Sequence, residues 1–336
     1  MQIVINSYGS YIRKQSECFV VGVKDKKQEI PARKVQSIMV TTSAMISTDA
    51  ILLAHEHNVD IIFLNQYGKP FSRVWHSRFG STTYIRRKQL EFSGNWKGLD
   101  LAKGWILQKL DNQTGLLEKL KKTRKNKAEK IESYVESMSR SRDKLASLEG
   151  ENIDDVRGQV FAFEAICGKI YFEALNFIMP EQYRFSGRSR NPAKDEFNAF
   201  LNYGYGILYS KMERACILSG LDPFIGFLHT DNYGKRSFVF DVIELFRIHV
   251  DEIVIRLFSK RMVKQGMCRA IQNGLMLDKE GKELLISEFN KEMEGTMRYR
   301  GRNIRKANIM EYECHRLANG FIGRDKDVSM GDVRHY

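Results

Sequence analysis

The sequence predicts an α+β protein. An N-terminal β-rich domain, residues 1–82, leads through a linker at 83–96 into a larger all-α C-terminal domain, residues 97–336. Three observations predict this division. The first 75 residues alternate short Val, Ile, Tyr and Phe runs with turn-forming clusters at Ser7–Ser10, Lys24–Lys27 and Ile30–Pro31, the spacing of strands joined by turns. Beyond about residue 85, long stretches carry helical periodicity. After residue 70 the only prolines are Pro180, Pro192 and Pro223, so long uninterrupted helices can form there.

In chain order, the β-rich domain is expected to contain one small helix. Ser47, Thr48 and Asp49 open it, Asn58 ends it, and Val59–Leu64 is a buried strand followed by a turn at Gln66–Pro70. His55 and His57 lie two apart on that helix and point about 200° apart, so they cannot share a metal. Thr83–Lys88 reads as linker or helix start. Helices are expected near 97–112, 113–148 with a break, 154–178, 194–219, 238–262, 280–297 and 303–319, with a mobile tail from Arg324.

Composition narrows the function classes. Of 336 residues, 43% are hydrophobic, enough for a substantial core. The formal net charge of +13 points to a polyanionic partner. No apolar run approaches membrane-spanning length, and no basic-then-apolar leader is seen, so a cytoplasmic protein without membrane association is expected. The five cysteines are scattered without a C-x-x-C pair, which argues against a disulfide framework or zinc ribbon. Residues 119–130 hold seven basic residues and one acid, either a solvated helix face or a phosphate-contacting surface. Tyr299–Lys306 is a second basic cluster.

Three carboxylates sit where a helix should be greasy. Asp241 and Glu244, three apart in an apolar run, project from one side of a helix with Phe238, Phe240, Leu245 and Ile248 as neighbours. Glu164 is flanked at helical spacing by Val160, Phe161, Cys167 and Gly168, and Gly168 lets something approach the backbone closely. Such acids are costly unless a cation meets them, so each needs a metal, an arginine or lysine partner, or a raised pKa.

The chain resembles the CRISPR-associated integrase of the spacer-adaptation module. The matching stretches are Ser47–Ile51, Ile61–Leu64 and Gly68–Pro70, then Phe161–Glu164 with Lys169–Phe172. They continue through Phe185–Arg188 and Pro192, Asn198–Tyr209, Gly220–Pro223, Gly226–His229 and Ser237–Arg247. Their order and coverage carry the resemblance. It implies catalytic residues Glu164, His229, Asp241 and Glu244, with Glu164, His229 and Glu244 as metal ligands and Asp241 in a supporting place. It departs from the family pattern at Glu244, where many members carry aspartate, at Ala165, where glycine is common, and at Asn191–Ala193, a looser version of a proline-rich turn.

The resemblance also implies that the α-helical domain carries the metal site and that the chain forms homodimers assembled on a small dimeric ferredoxin-like adaptation subunit. The expected substrates are double-stranded DNA, both spacer precursor and repeat array. One imidazole nitrogen with carboxylate oxygens is a hard site that suits Mn²⁺ or Mg²⁺. The expected reaction is 3′-hydroxyl transesterification into the repeat, with endonuclease activity when water replaces the hydroxyl. Arg247 either contacts a phosphate or holds Glu244; Asn202, Tyr203 and Tyr205 either position DNA or pack helices; His76, His249 and His315 are surface or packing residues. Two other functions fit the residues: a non-catalytic DNA-binding scaffold with its acids neutralised by buried arginines, and a transposon-encoded integrase with the same core.

Overall fold

Alternating buried and exposed residues build the first of two units in the computed structural model, which describes residues 1–35, 37–65, 70–74 and 82–324. The units are Met1–Gly80 and Ser81–Tyr336. The strands of the first are β1 (Gln2–Ile5), β2 (Ser10–Gln15), β3 (Cys18–Val23), β4 (Lys26–Pro31), β5 (Ser37–Val40), β6 (Ala44–Ile46), β7 (Asp60–Leu64) and β8 (Pro70–Val74). They form two four-stranded sheets, β1-β5-β7-β8 and β4-β3-β2-β6. β1, β5 and β7 run parallel, and β8 returns antiparallel to β7. All four residues of β5 are buried, as expected for a parallel strand covered on both faces. Ile3, Ile12, Phe19, Ile38, Leu53 and Ile61 belong to one core shared by both sheets and the helix α1 (Thr48–Glu56).

The capping residues predicted for α1 are in place. Ser47 Oγ accepts a hydrogen bond from the Ala50 N–H at 3.2 Å, and Asn58 leaves the helix in the left-handed region with φ 53°. His57 Nε2 lies 2.9 Å from Glu17 Oε2. Residues 66–69 of the expected turn, His76, and the expected tail beyond Arg324 fall outside the described residues.

The second unit is mostly helical, and its departures from expectation have local causes. Where a linker was expected at 83–96 there is a helix, α2 (Thr82–Ser93). Its Gln89 is fully buried and exchanges hydrogen bonds with backbone of 222 and 225, partners far downstream that no local pattern reveals. Next come α3 (Trp96–Lys122), α4 (Ala128–Ala146) and α5 (Ile153–Ile178), which pack against one another. The first two expected helices are one, and the break expected within 113–148 falls at 123–127. α5 starts with a capping box in which Asn152 and Asp155 satisfy each other's backbone N–H groups.

Further along are α6 (Glu196–Leu218), α7 (Ser237–Ile243), α8 (Arg247–Ser259), α9 (Lys279–Glu294) and α10 (Ile309–Phe321). The expectation of an all-α domain is corrected by two hairpins, β9 (Cys268–Ile271) with β10 (Gly274–Leu277), and β11 (Thr296–Tyr299) with β12 (Arg302–Arg305). The second hairpin shortens the helices expected at 280–297 and 303–319. Arg300 and Gly301, at φ 47° and 75°, make its two-residue turn, which requires positive φ at both positions. Buried Glu313 then holds the turn, accepting from Tyr299 Oη at 3.1 Å and from Arg300 Nε at 2.8 Å. No described helix is long and apolar enough to cross a membrane.

α6 and α8 meet at a glycine. A Cβ on Gly204 would lie 2.5 Å from Val250 Cγ1, so this close approach requires the missing side chain. Gly168 behaves differently from expectation: nothing lies within 4 Å of its Cβ position, and it opens onto free space beside Glu164 rather than receiving a neighbour. Gly204→Ala should therefore lower stability by about 1–3 kcal/mol through overpacking, whereas Gly168→Ala should raise it by about 0.5–1 kcal/mol through helix propensity. Urea-denaturation midpoints of the two variants would check both signs.

Candidate active site

The buried acids meet a cation, and α3 supplies it. Lys109 Nζ lies 2.5 Å from Glu164 Oε1 on α5 and 2.7 Å from Glu244 Oε2 at the end of α7. The Glu244 side chain is 2% exposed and the lysine side chain 11%. Arg247 adds a second positive charge, its Nη2 3.0 Å from Glu244 Oε1. Burial by itself would raise the Glu244 carboxyl, but Arg247 and Lys109 outweigh it and hold Glu244 below its ordinary value. Burial likewise opposes the Lys109 ammonium, and Glu244 with Glu164 more than offsets it, so Lys109 stays above its ordinary value.

Glu244 reaches this place because the helix expected across 238–262 is broken. α7 stops at Ile243, and residues 244–246 turn more tightly before α8. Leu245 and Phe246 N–H groups bond three residues back, to Val242 and Ile243 carbonyls. The Leu245 carbonyl is taken by Asn112 Nδ2 at 3.2 Å, one turn along α3 from Lys109. The break separates the two acids expected to act on one side. Asp241 faces one group of partners and Glu244 another.

Asp241 is the anchor of the His229 loop. Its Oδ2 accepts the N–H groups of Phe227 and Leu228 at 2.6 and 3.2 Å, and its Oδ1 that of His229 at 3.0 Å. His229 Nδ1 lies 2.6 Å from the same Oδ1. A neutral imidazole with a carboxylate against Nδ1 keeps its proton there and presents a lone pair at Nε2. Burial pushes the Asp241 carboxyl upward, with His229 and the backbone donors opposing. Gly226 lets the loop double back, since a Cβ there would lie 2.2 Å from the His229 carbonyl oxygen.

The loop is tied to the Glu164 helix as well. Arg157, two turns before Glu164 on α5, donates to the Leu228 and Phe227 carbonyls at 2.9 and 3.1 Å. Phe161, on the intervening turn, contacts the His229 ring at a centroid distance of 5.5 Å. These contacts place the His229 loop against the helix that carries Glu164. Glu164 and Glu244 converge directly, and they do so on Lys109. Among the described residues, no three His, Cys, Asp or Glu side chains form a ready ion-binding group.

Another buried acid, Asp251, stands behind Arg247. Asp251 Oδ2 accepts from Tyr171 Oη at 2.9 Å, and its other oxygen accepts from Tyr205 Oη. The guanidinium groups of Arg247 and Arg188 lie 5.1 and 5.4 Å from the Tyr205 ring centroid. Asn202 donates to backbone carbonyls of the 189–190 loop, and Tyr203 is buried. His249 is buried in α8 and His315 is exposed.

The basic run at 119–130 is largely committed within the unit. Lys119 pairs with Glu252 at 2.8 Å, Lys121 with Glu118 at 2.7 Å, and Lys127 donates to the Phe177 carbonyl at 2.7 Å. Lys109, Arg157 and Asn112 were not singled out from the sequence, because each acts on a partner brought near only by helix packing. The one available signal was Lys109 itself, a lone cation among the apolar residues Trp105, Ile106 and Leu110 of α3, all three buried.

Residues 3–291 match the family described as CRISPR associated protein Cas1. The chain belongs to the Cas1 family. A relative named CRISPR-associated endonuclease Cas1 1, from Archaeoglobus fulgidus, is 34% identical over 92% of this chain and 93% of its own length. Among solved structures, a casposase bound to integration product superposes with a TM-score of 0.83, at 20% identity, over 98% of this chain and 92% of that one. A Cas6-RT-Cas1–Cas2 complex gives a TM-score of 0.81 at 18% identity, over 99% of this chain and 36% of that one. These likenesses show the fold. The Cas1 match spans Lys109, Glu164, His229, Asp241, Glu244 and Asp251 alike.

Asp251 offers a test of the buried network. Burial pushes its carboxyl from an ordinary 3.8 up to about 6, against opposing hydrogen bonds from Tyr205 and Tyr171. Unfolded chains therefore release this proton first as pH rises. The stability it contributes is complete below about pH 4 and is lost through about pH 6, a change on the order of 3 kcal/mol. The stability advantage of wild type over Asp251→Asn should fall by that amount between pH 4 and 7, read from urea denaturation across the pH series.

Proposed function

We propose that this Cas1-family chain is a divalent-metal-dependent DNA integrase and endonuclease that inserts short foreign DNA segments into a CRISPR array as new spacers. The observation that carries the reading is the convergence of Glu164 and Glu244, from separate helices, on one cation beside an imidazole oriented by Asp241. The naming of its relatives as endonucleases and the fold shared with an integration-product complex support it.

The residues fit a hard divalent ion. Glu164 and Glu244 each set one carboxylate oxygen on the same cation, Lys109 Nζ, at 2.5 and 2.7 Å, and such oxygens are the donors a hard divalent ion takes. Glu164, His229 Nε2 and Glu244 would hold Mn²⁺ or Mg²⁺, with Asp241 fixing the imidazole. When bound, such an ion polarises a phosphoryl oxygen and lowers the pKa of the attacking hydroxyl.

The rest is the work of the chain. A 3′-hydroxyl of the incoming segment attacks a phosphodiester at the edge of the repeat. A new P–O bond forms, the bond to the repeat-flank 3′-oxygen breaks, and that oxygen takes up a proton as the attacking hydroxyl gives one up. With water as the nucleophile the same atoms produce a nick. Arg247 keeps Glu244 ionised and in place, and the net charge of +13 favours association with DNA. The chain acts as a homodimer on a small dimeric ferredoxin-like subunit; the fold shared with a Cas1–Cas2 complex supports that partner.

Lys109 also favours a second reading, a DNA-binding scaffold whose acids are permanently neutralised. Strand transfer of a short duplex into a repeat-bearing plasmid, with Mn²⁺ or Mg²⁺ and the partner subunit, separates the two. Glu164→Ala and His229→Ala should each lower transfer by at least about a hundredfold while leaving DNA affinity within a few fold. Full transfer by either variant would overturn the ligand assignment, and absence of transfer in wild type would favour the scaffold.

A further inference from the structure

We infer that Lys109 is a resident counter-ion, an ammonium that holds the two acids in the metal-free protein and that a divalent ion must displace to enter. The inference rests on the proposed metal site and goes beyond it by adding a residue that sets how tightly the ion is held.

Geometry places the ammonium where an ion would sit, in contact with one oxygen of each glutamate. Two cations cannot share that point without strong repulsion in a buried site. The helix that carries the lysine has anchors of its own. α3 is fixed against the 244–246 break through Asn112, and its Trp105 is buried against Phe227 and Phe238, so helix placement does not depend on Lys109. The lysine stem has four flexible carbons, unlike the planar fork of arginine. The Glu164 side chain is 18% exposed and has open space one turn on at Gly168, so the cluster reaches solvent on that side.

Charge balance gives the same direction. Glu164 and Glu244 against Lys109 and Arg247 sum to zero without metal. A divalent ion entering while Lys109 stayed would leave an uncompensated +2. With Lys109 swung out toward solvent, the inner site carries +1, which one phosphodiester of bound DNA neutralises. The displaced ammonium is also free to meet a second phosphate.

Mn²⁺ titration followed by calorimetry, without DNA and at constant pH, tests this in the full-length protein. Lys109→Met and Lys109→Gln should bind Mn²⁺ about tenfold more tightly than wild type or better, because no ammonium has to be expelled. Mn²⁺ should also raise their melting temperatures more than that of wild type. A variant that melts cooperatively only when Mn²⁺ is present supports the inference, since Lys109 then held the acids in the metal-free state. Folded Lys109→Met or Lys109→Gln binding Mn²⁺ no more tightly than wild type would overturn it. Glu164→Gln keeps the outcomes apart: if it binds Mn²⁺ as wild type does, the metal site fails, whereas weakened binding there with no gain at Lys109 rejects only the displacement.

Discussion

The second unit depends on neutralising buried carboxylates where α3, α5 and the α7–α8 junction meet. Glu244 is nearly inaccessible to water, and an isolated carboxylate in that position would be protonated or would unfold its surroundings. Lys109 and Arg247 prevent this from opposite sides of the carboxylate's two oxygens. Removing one partner of such a group typically costs 3–5 kcal/mol, whereas an apolar replacement of the whole cluster is often harmless. Stability alone therefore does not account for the cluster.

Around that cluster the chain is arranged so that each acid has its own task. The broken helix turns Glu244 toward Lys109 and leaves Asp241 to gather the backbone N–H groups of 227–229. Arg157 then ties the same loop to the helix bearing Glu164. Glu164 and His229, sixty-five positions apart in sequence, are thereby coupled through one rigid set of hydrogen bonds. Such a frame fixes the orientation of the imidazole.

The buried charges extend one layer further. Asp251, Tyr171 and Tyr205 lie behind Arg247 and Arg188, so the guanidinium that steadies Glu244 is itself steadied. Networks of this kind raise the penalty of any single unsatisfied member and favour one arrangement over its alternatives. On the outside, several cations of the basic run at 119–130 are paired within the unit, Lys119 with Glu252, Lys121 with Glu118 and Lys127 with the Phe177 carbonyl.

From the sequence alone came the two-part architecture, the start and end of α1, most of the long helices and the suspicion attached to Glu164, Asp241 and Glu244. These follow from periodicity, capping residues and the cost of placing acids on apolar faces, all of which act over a few residues. The α2 helix, the hairpin turn at Arg300–Gly301 and the break after Ile243 were not legible, because Gln89, Glu313 and Asn112 stabilise them from far along the chain. The cation was missed for the same reason. Sequence spacing shows that a carboxylate needs a partner, but only helix packing decides that Lys109 is the one within reach, because contact distance is set by tertiary structure and not by separation along the chain.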